Sequence, residues 1–213
     1  HKALGIFLLI LSTGAVGYGQ YHVLQHLPFI DCLPYKRGND ILEQMKVPEG
    51  AIPDSVSIQM SFLKNGKTVQ FDINQFPADF DSTYVYQDRK EVLIQKGNGL
   101  VAKIVDFSLF TLNNEDTTAA LFNASSPYVL IFSGNIDPSI PWVTLIKTIQ
   151  LKNKQVYLIT ADKANALQLK LDIPILIGDM TMIKTAARVW PTVAVMNGST
   201  IMEKQSYLDY LKK

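Results

Sequence analysis

Cysteine and histidine are almost missing from this chain of 213 residues. Cys32 is its single cysteine, so no internal disulfide can form. The histidines are His1, His22 and His26, and none follows. Beyond residue 26 the chain therefore lacks the base of a Ser/His/Asp triad and the ligands of an ordinary zinc site. Runs of Lys or Arg are absent, as are basic residues interleaved with aromatics, and the net charge is only +1. A phosphate-binding face of that kind is excluded, and nucleic acid is not an expected partner. No metal and no cofactor is expected.

Charge is also missing from Ala3 to Gly19, ALGIFLLILSTGAVGYG. As a helix this run is about 25 Å long, and continuing to Leu24 brings it to the bilayer core thickness of about 30 Å. Tyr18 and Tyr21 would then lie at an interface, where their amphipathic rings are favoured. Small residues at Gly5, Ser12, Gly14, Ala15 and Gly17 would let another helix approach closely. Three readings stay open. Residues 1–24 form a transmembrane helix, the last of several or a signal anchor. Alternatively they form a secretory signal peptide cleaved near Gly17 to Gly19, or a buried core helix. The first two place the rest of the chain outside the cytoplasm. The chain begins with His1 rather than Met, as expected of a fragment or a processed form.

Residues 25–99 read as a tether plus a small β module. Pro28, Pro34, Pro48 and Pro53 punctuate the tether, with room for one helical turn over Asn39 to Met45, capped by Asn39 or Asp40. Val56 to Phe62 and Thr68 to Asp72 alternate in period 2 around Lys64-Asn65-Gly66-Lys67, which predicts an antiparallel hairpin. A third strand is expected within Thr83 to Ile94. Asp79-x-Asp81-x-Thr83 has calcium-loop spacing, but Tyr84 stands where the loop needs Gly, so a solvated turn is expected.

From residue 100 to 213 strands and helices alternate, implying right-handed crossovers into a mixed sheet. Strands are expected at Asp106–Leu112, Tyr128–Phe132, Gln155–Thr160 and Pro174–Ile177. The second is continuously apolar, as in a sheet covered on both faces. Trp142, Leu145, Ile146 and Ile149 recur at i, i+3, i+4, i+7 and predict an amphipathic helix. Further helices are expected over Asp162–Leu171 and Asp179–Ala187. A hairpin turning at Asn197-Gly198 joins Pro191–Met196 to Thr200–Glu203, and a terminal helix covers Gln205–Leu211.

This order, with Trp190-Pro191-Thr192 opening the late hairpin, resembles the thioredoxin-like fold. Asp106-Phe107-Ser108-Leu109 and Ile173-Pro174-Ile175-Leu176 are similar to its peroxiredoxin and membrane-anchored thiol oxidoreductase branch. The resemblance implies an α/β fold, a thioredoxin-like mixed sheet flanked by helices, preceded by the transmembrane helix and the small antiparallel β module. It also implies a cis Trp190–Pro191 bond facing the loop that follows Phe132.

In that loop the family carries Cys-x-x-Cys, and here Ile136, Asp137, Pro138 and Ser139 stand in its place. Dithiol exchange needs a thiolate at a helix N-terminus and a second cysteine to resolve the mixed disulfide. Ile136 has no nucleophilic atom, and Ser139 has no histidine to deprotonate it. No catalytic residue is expected in the domain. What the resemblance leaves is a binding groove formed by Asn135, Trp190, Pro191 and Thr192 for an extended polypeptide. The alternative is that Trp190 belongs to the core and the loop caps the sheet. Cys32 is a candidate lone thiol or an incidental cysteine.

Apart from the fold, the whole chain resembles the C-terminal half of DoxX-type bacterial membrane proteins. The apolar helix, His26-Leu-Pro-Phe-Ile-Asp31, Leu33-Pro-Tyr-Lys36, Gly38-Asn39 and Val47-Pro-Glu-Gly50 carry this resemblance. It implies a multi-helix module upstream as a partner, an inner-membrane location and a periplasmic C-terminal domain. An envelope polypeptide is a further expected partner. Two functions are expected from these readings. One is a redox-inactive accessory or binding domain. The other is an oxidoreductase-related protein whose chemistry lies upstream or uses Cys32.

Overall fold

The computed structural model describes residues 2–152 and 154–212. The chain divides into two compact units: Val47–Ala102 forms the smaller, and residues up to Lys46 join those from Lys103 onward in the larger.

The smaller unit is an antiparallel sheet of β1 (Ser55–Lys64), β2 (Lys67–Asp72) and β3 (Val85–Gln95), in the order β2-β1-β3. Asn65 and Gly66 have φ of 49° and 77°, the two-residue turn that their sequence predicts. Three strands bury little apolar surface, and the unit compensates with aromatic rings. Phe62, 6% exposed, stacks on Phe71 at 5.1 Å and meets Phe76, Phe80, Tyr84 and Tyr86 edge-on. Lys64 lies 3.9 Å from the centroid of the Tyr84 ring and pairs with Asp79 at 2.5 Å. Asp79 is thus engaged by an ammonium group, and Asp81 accepts the Thr83 N–H and hydroxyl in a closed turn.

The larger unit begins with α1 (Lys2–Gln25), whose described side chains are nearly all exposed and apolar. From Leu4 to Gln25 it is long and apolar enough to cross a membrane. Its sheet has six strands, β4 (Leu109–Phe110), β5 (Tyr128–Phe132), β6 (Gln155–Thr160), β7 (Ile175–Gly178), β8 (Thr192–Asn197) and β9 (Thr200–Ser206). The order is β4-β7-β6-β5-β8-β9, with β5, β6 and β7 parallel and the remaining pairings antiparallel. The fold class is therefore mixed α/β, with an apolar N-terminal helix, a small antiparallel sheet and a mixed six-stranded sheet.

Five helices accompany this sheet: α3 (Thr118–Phe122), α4 (Trp142–Gln150), α5 (Lys163–Gln168), α6 (Met180–Ala186) and α7 (Tyr207–Leu211). Because strand side chains alternate, the buried run of β5 feeds two cores. Tyr128, Leu130 and Phe132 join Met182, Ile183 and Ala186 of α6. Val129 and Ile131 join Trp142, Leu145, Ile146 and Ile149 of α4 and Tyr210 of α7. The four periodic residues of α4 are all buried, each contributing roughly 1.5–3 kcal/mol of transfer free energy.

Three expectations change. The strand expected over Asp106–Leu112 shortens to Leu109–Phe110, because Thr111 turns the chain. The Thr111 N–H donates to the Glu115 carbonyl, and its hydroxyl oxygen accepts from the N–H groups of Asn113 and Glu115. The terminal helix starts at Tyr207, because β9 runs on to Ser206, which caps the helix by accepting the Asp209 N–H. The turn of helix α3 had no apolar period long enough to announce it.

The fourth difference concerns the expected tether. Residues 31–46 are strapped onto the outer strand β9. The Gly38 N–H donates to the Ile201 carbonyl, Ile201 N–H to Asn39, and Ile41 N–H to Ser199. Tyr35 and Ile41, 3% and 1% exposed, enter the α6-side core. Asp40 caps α2 (Ile41–Met45) and also accepts the hydroxyls of Ser199 and Thr200. The Lys204 ammonium donates to Asp31 at 2.8 Å and to the Tyr35 carbonyl at 2.9 Å. Burial raises the Asp31 carboxyl, but Lys204 and the Leu33 N–H outweigh it and hold it below the usual range. Burial draws the Lys204 ammonium down, and the Asp31 carboxylate only partly restores it. The strap pairs with the open edge of β9 at Ile201, which covers the start of that edge against pairing with another chain.

Candidate functional site

The loop from Ser133 to Pro141 leaves the C-terminal end of β5 and enters α4. Its backbone is held by short-range bonds. The Ser133 hydroxyl donates to the Asn135 carbonyl at 2.7 Å, and the Thr160 hydroxyl to the Gly134 carbonyl at 3.4 Å. The Ile136 N–H reaches Asp162, which also caps α5. Asn165 foremost holds the Asp162 carboxyl below its ordinary range, with the Ile136 N–H assisting against burial. Asp137 accepts the Ser139 N–H at 2.8 Å, and its own carbonyl accepts the Trp142 indole N–H at 2.8 Å. The Ser139 hydroxyl, then its N–H, lower the Asp137 carboxyl. A carboxylate held in that state is a poor base, so Ser139 gains no activation from it.

Ile136 of the degenerate loop and Trp190 of the expected groove lie on opposite faces of the sheet. Ile136 is 7% exposed and belongs to the α4-side core with Trp142. Trp190 packs on the α6-side core, and its indole N–H donates to the Ala187 carbonyl at 3.0 Å. The Trp190–Pro191 bond is cis. Pro191 and Thr192 are buried; the Pro191 carbonyl accepts the Tyr207 N–H, and the Thr192 hydroxyl donates to Val189 at 2.6 Å. Thr192 pairs with Phe132 across β5 and β8, which sets this corner beside the loop. The direct meeting point is Gly134: a Cβ there would overlap the Trp190 ring and lie 2.9 Å from the Met180 sulfur. Asn135, Asp137, Pro138 and Ser139 remain exposed.

Two clefts of the larger unit lie near these elements. One of about 240 Å³ is lined by Pro138, Ile140, Trp142, Leu169 and Leu171 beside the start of α4. The other, of about 300 Å³, has Tyr35, Lys103, Asp106, Ser108, Asp179 and Thr181 on its walls. Burial, and then the Asp106 carboxylate, push the Tyr35 phenol up. No motif announced this second cleft, since its walls come from three separated segments. Among the described residues no group of three or more His, Cys, Asp or Glu could hold a metal ion. Cys32 is a free, exposed thiol in the loop after α1.

A family model described as a domain of unknown function (DUF8463) matches residues 58–96. The match runs from within β1 to the end of β3, inside the smaller unit. No curated protein and no solved structure matches the chain.

Proposed function

We propose that this chain is a membrane-tethered, thioredoxin-like accessory or binding domain without dithiol chemistry, of the DoxX type, in a bacterial envelope. The observation that carries the reading is the placement of Ile136. The loop between a central parallel strand and an amphipathic helix is where a thiol protein keeps its nucleophile, and here the side chain is aliphatic and turned into the core. Support for the thioredoxin-like frame comes from β7-β6-β5-β8-β9, three parallel strands followed by two antiparallel ones, with helices on both faces. Support for the membrane comes from α1, exposed and apolar along its length. It serves equally as an anchor or a signal sequence by length and composition. The partners on this reading are an upstream membrane module and an extended envelope polypeptide at Asn135 and Trp190. The domain then faces the periplasm.

The exposed thiol of Cys32 favours a second reading, an oxidoreductase-related protein that uses this residue or an upstream centre. Dithiothreitol-driven reduction of insulin separates the two. The first reading expects the same rate with and without the protein, and with Cys32→Ser. Catalysis abolished by Cys32→Ser would overturn it.

A further inference from the structure

The end of α1 continues into an apolar projection that its fold does not use. Phe29 and Ile30, four and five residues beyond Gln25, are 86% and 79% exposed. The Phe29 ring stacks on His22 at 4.4 Å, so it lies beside the last turns of the helix, where Tyr21 and Leu24 are also exposed. His22 in turn stacks on His26 at 4.9 Å, and His26 is bonded to Asp209. The projection is therefore not a loose loop, because its base is fixed to α7 through that hydrogen bond and to β9 through the Asp31–Lys204 pair.

Charge is distributed in a complementary way around this point. The Asp31 carboxylate is paired with the Lys204 ammonium, and the Asp209 carboxylate is hydrogen-bonded to His26 and the Ser206 hydroxyl. Two basic residues lie close by and are exposed. Lys212 is near enough to Asp209, and Arg188 near enough to Asp31, for their charges to act on those carboxylates. Among the described residues neither forms an ion pair of its own. An apolar wedge continuous with a membrane-length helix, flanked by free cations, matches the bilayer interface, with acyl chains for the wedge and anionic headgroups for the cations.

Building on the membrane-anchor reading above, we infer that the larger unit does not hang free below its helix. It docks on the membrane surface, with Phe29 and Ile30 inserted at the headgroup boundary and Arg188 and Lys212 against anionic lipid. The strap on β9 holds the sheet in one orientation to the bilayer.

The single cysteine supplies the test, since Cys32 lies two residues beyond Ile30 and takes a nitroxide label uniquely. The full chain is reconstituted in vesicles of phosphatidylcholine, with or without phosphatidylglycerol, and collisions with a water-soluble nickel chelate are measured by electron paramagnetic resonance. The expected result is a severalfold lower collision rate in the phosphatidylglycerol vesicles than in the F29D/I30D variant. R188Q/K212Q should abolish the difference between the two lipids. Circular dichroism of each variant verifies the fold, and F29S/I30S replaces any aspartate variant that fails it. A wild-type label colliding at the rate of F29D/I30D, in protein that floats with the vesicles, would overturn the docking and leave the anchor standing. Protein that does not float with the vesicles at all would overturn the anchor, and the docking with it.

Discussion

His26, the residue after α1, holds Asp209 of α7 through both carboxylate oxygens, at 2.8 and 2.9 Å, across 183 positions of sequence. Asp209 also accepts the Ser206 hydroxyl while Ser206 accepts the Asp209 N–H, a reciprocal cap on the terminal helix. One carboxylate thus serves the residue after the apolar N-terminal helix and the last helix together. Asp209→Ala removes the carboxylate's bonds to His26 and to the Ser206 hydroxyl, leaves the Ser206 cap on the residue-209 N–H, and is expected to cost about 1–2 kcal/mol, while His26→Ala keeps the Ser206 bond and costs less than about 1 kcal/mol. The side chain of Asp209 is 38% exposed, and solvent screening keeps the ion-pair share small. Urea unfolding of the detergent-solubilised protein measures both. Equal costs would show that the carboxylate's bond to Ser206 contributes nothing.

Acid should release the strap before the sheet melts. Burial raises Asp31, Asp40 and Asp209, but their hydrogen-bond donors outweigh it and leave all three below the ordinary carboxyl value. A depressed folded pKa contributes stability that is complete above the unfolded value of about 3.9 and is lost as pH falls through the folded value. Hydrogen exchange, corrected for intrinsic rate, should therefore show the Gly38, Ile41 and Ile201 amides losing protection below about pH 4. The amides of β5 should hold. Simultaneous loss in both places would contradict a separate strap.

Lys204 is 5% exposed at its side chain and Asp31 19%, so removing one partner strands the other. Lys204→Ala is expected to destabilise by about 3 kcal/mol. The double replacement Asp31→Leu with Lys204→Met should recover most of that loss, since a packed apolar pair costs no charge desolvation. Thermal unfolding of the two variants side by side measures the recovery. A double variant as unstable as Lys204→Ala would show that the Tyr35 carbonyl, not the charge pair, controls this site.

Gly134 is the contact through which the loop feels Trp190. Gly134→Ala should cost about 1–3 kcal/mol through overpacking, because the added Cβ meets the ring and the Met180 sulfur. In a Trp190→Ala background the same change should cost markedly less, a non-additive pair. Urea titrations of the four combinations test this coupling. Additive costs would mean that the ring does not bear on Gly134.

Phe62 is the hub of the smaller unit, touching five other rings. Phe62→Ala is expected to cost about 3–5 kcal/mol and to unfold that unit alone. Hydrogen exchange should rise across β1, β2 and β3 while β5 and β8 stay protected. A parallel loss in β5 would show that the two units unfold together.

Elements whose stability is local were legible in the chain. The Asn65-Gly66 turn, the period of α4, the continuous apolar run of β5 and the helix starts at Asp162 and Asp179 each follow from neighbours a few residues apart. Where pairing was non-local the reading stopped. Asp106–Leu112 has strand composition, yet only Leu109 and Phe110 find a partner in β7. The degenerate loop was legible as a composition, and the side to which each residue turns was not. Ile136 and Trp190 enter opposite cores because the sheet passes between them.

The sequence by itself determined what chemistry the chain lacks: one thiol, no histidine after residue 26, and an aliphatic residue, Ile136, in the loop before α4. It likewise determined the apolar helix, since hydropathy is a property of composition. Only the tertiary structure decided that the proline-punctuated stretch after that helix is a strap and not a tether. The backbone bonds of Gly38, Asn39 and Ile41 to Ile201 and Ser199, and the Asp31–Lys204, Asp40–Ser199 and His26–Asp209 contacts, reach partners beyond residue 198. Such bonds carry no local periodicity, so they exist only once the chain has closed on itself.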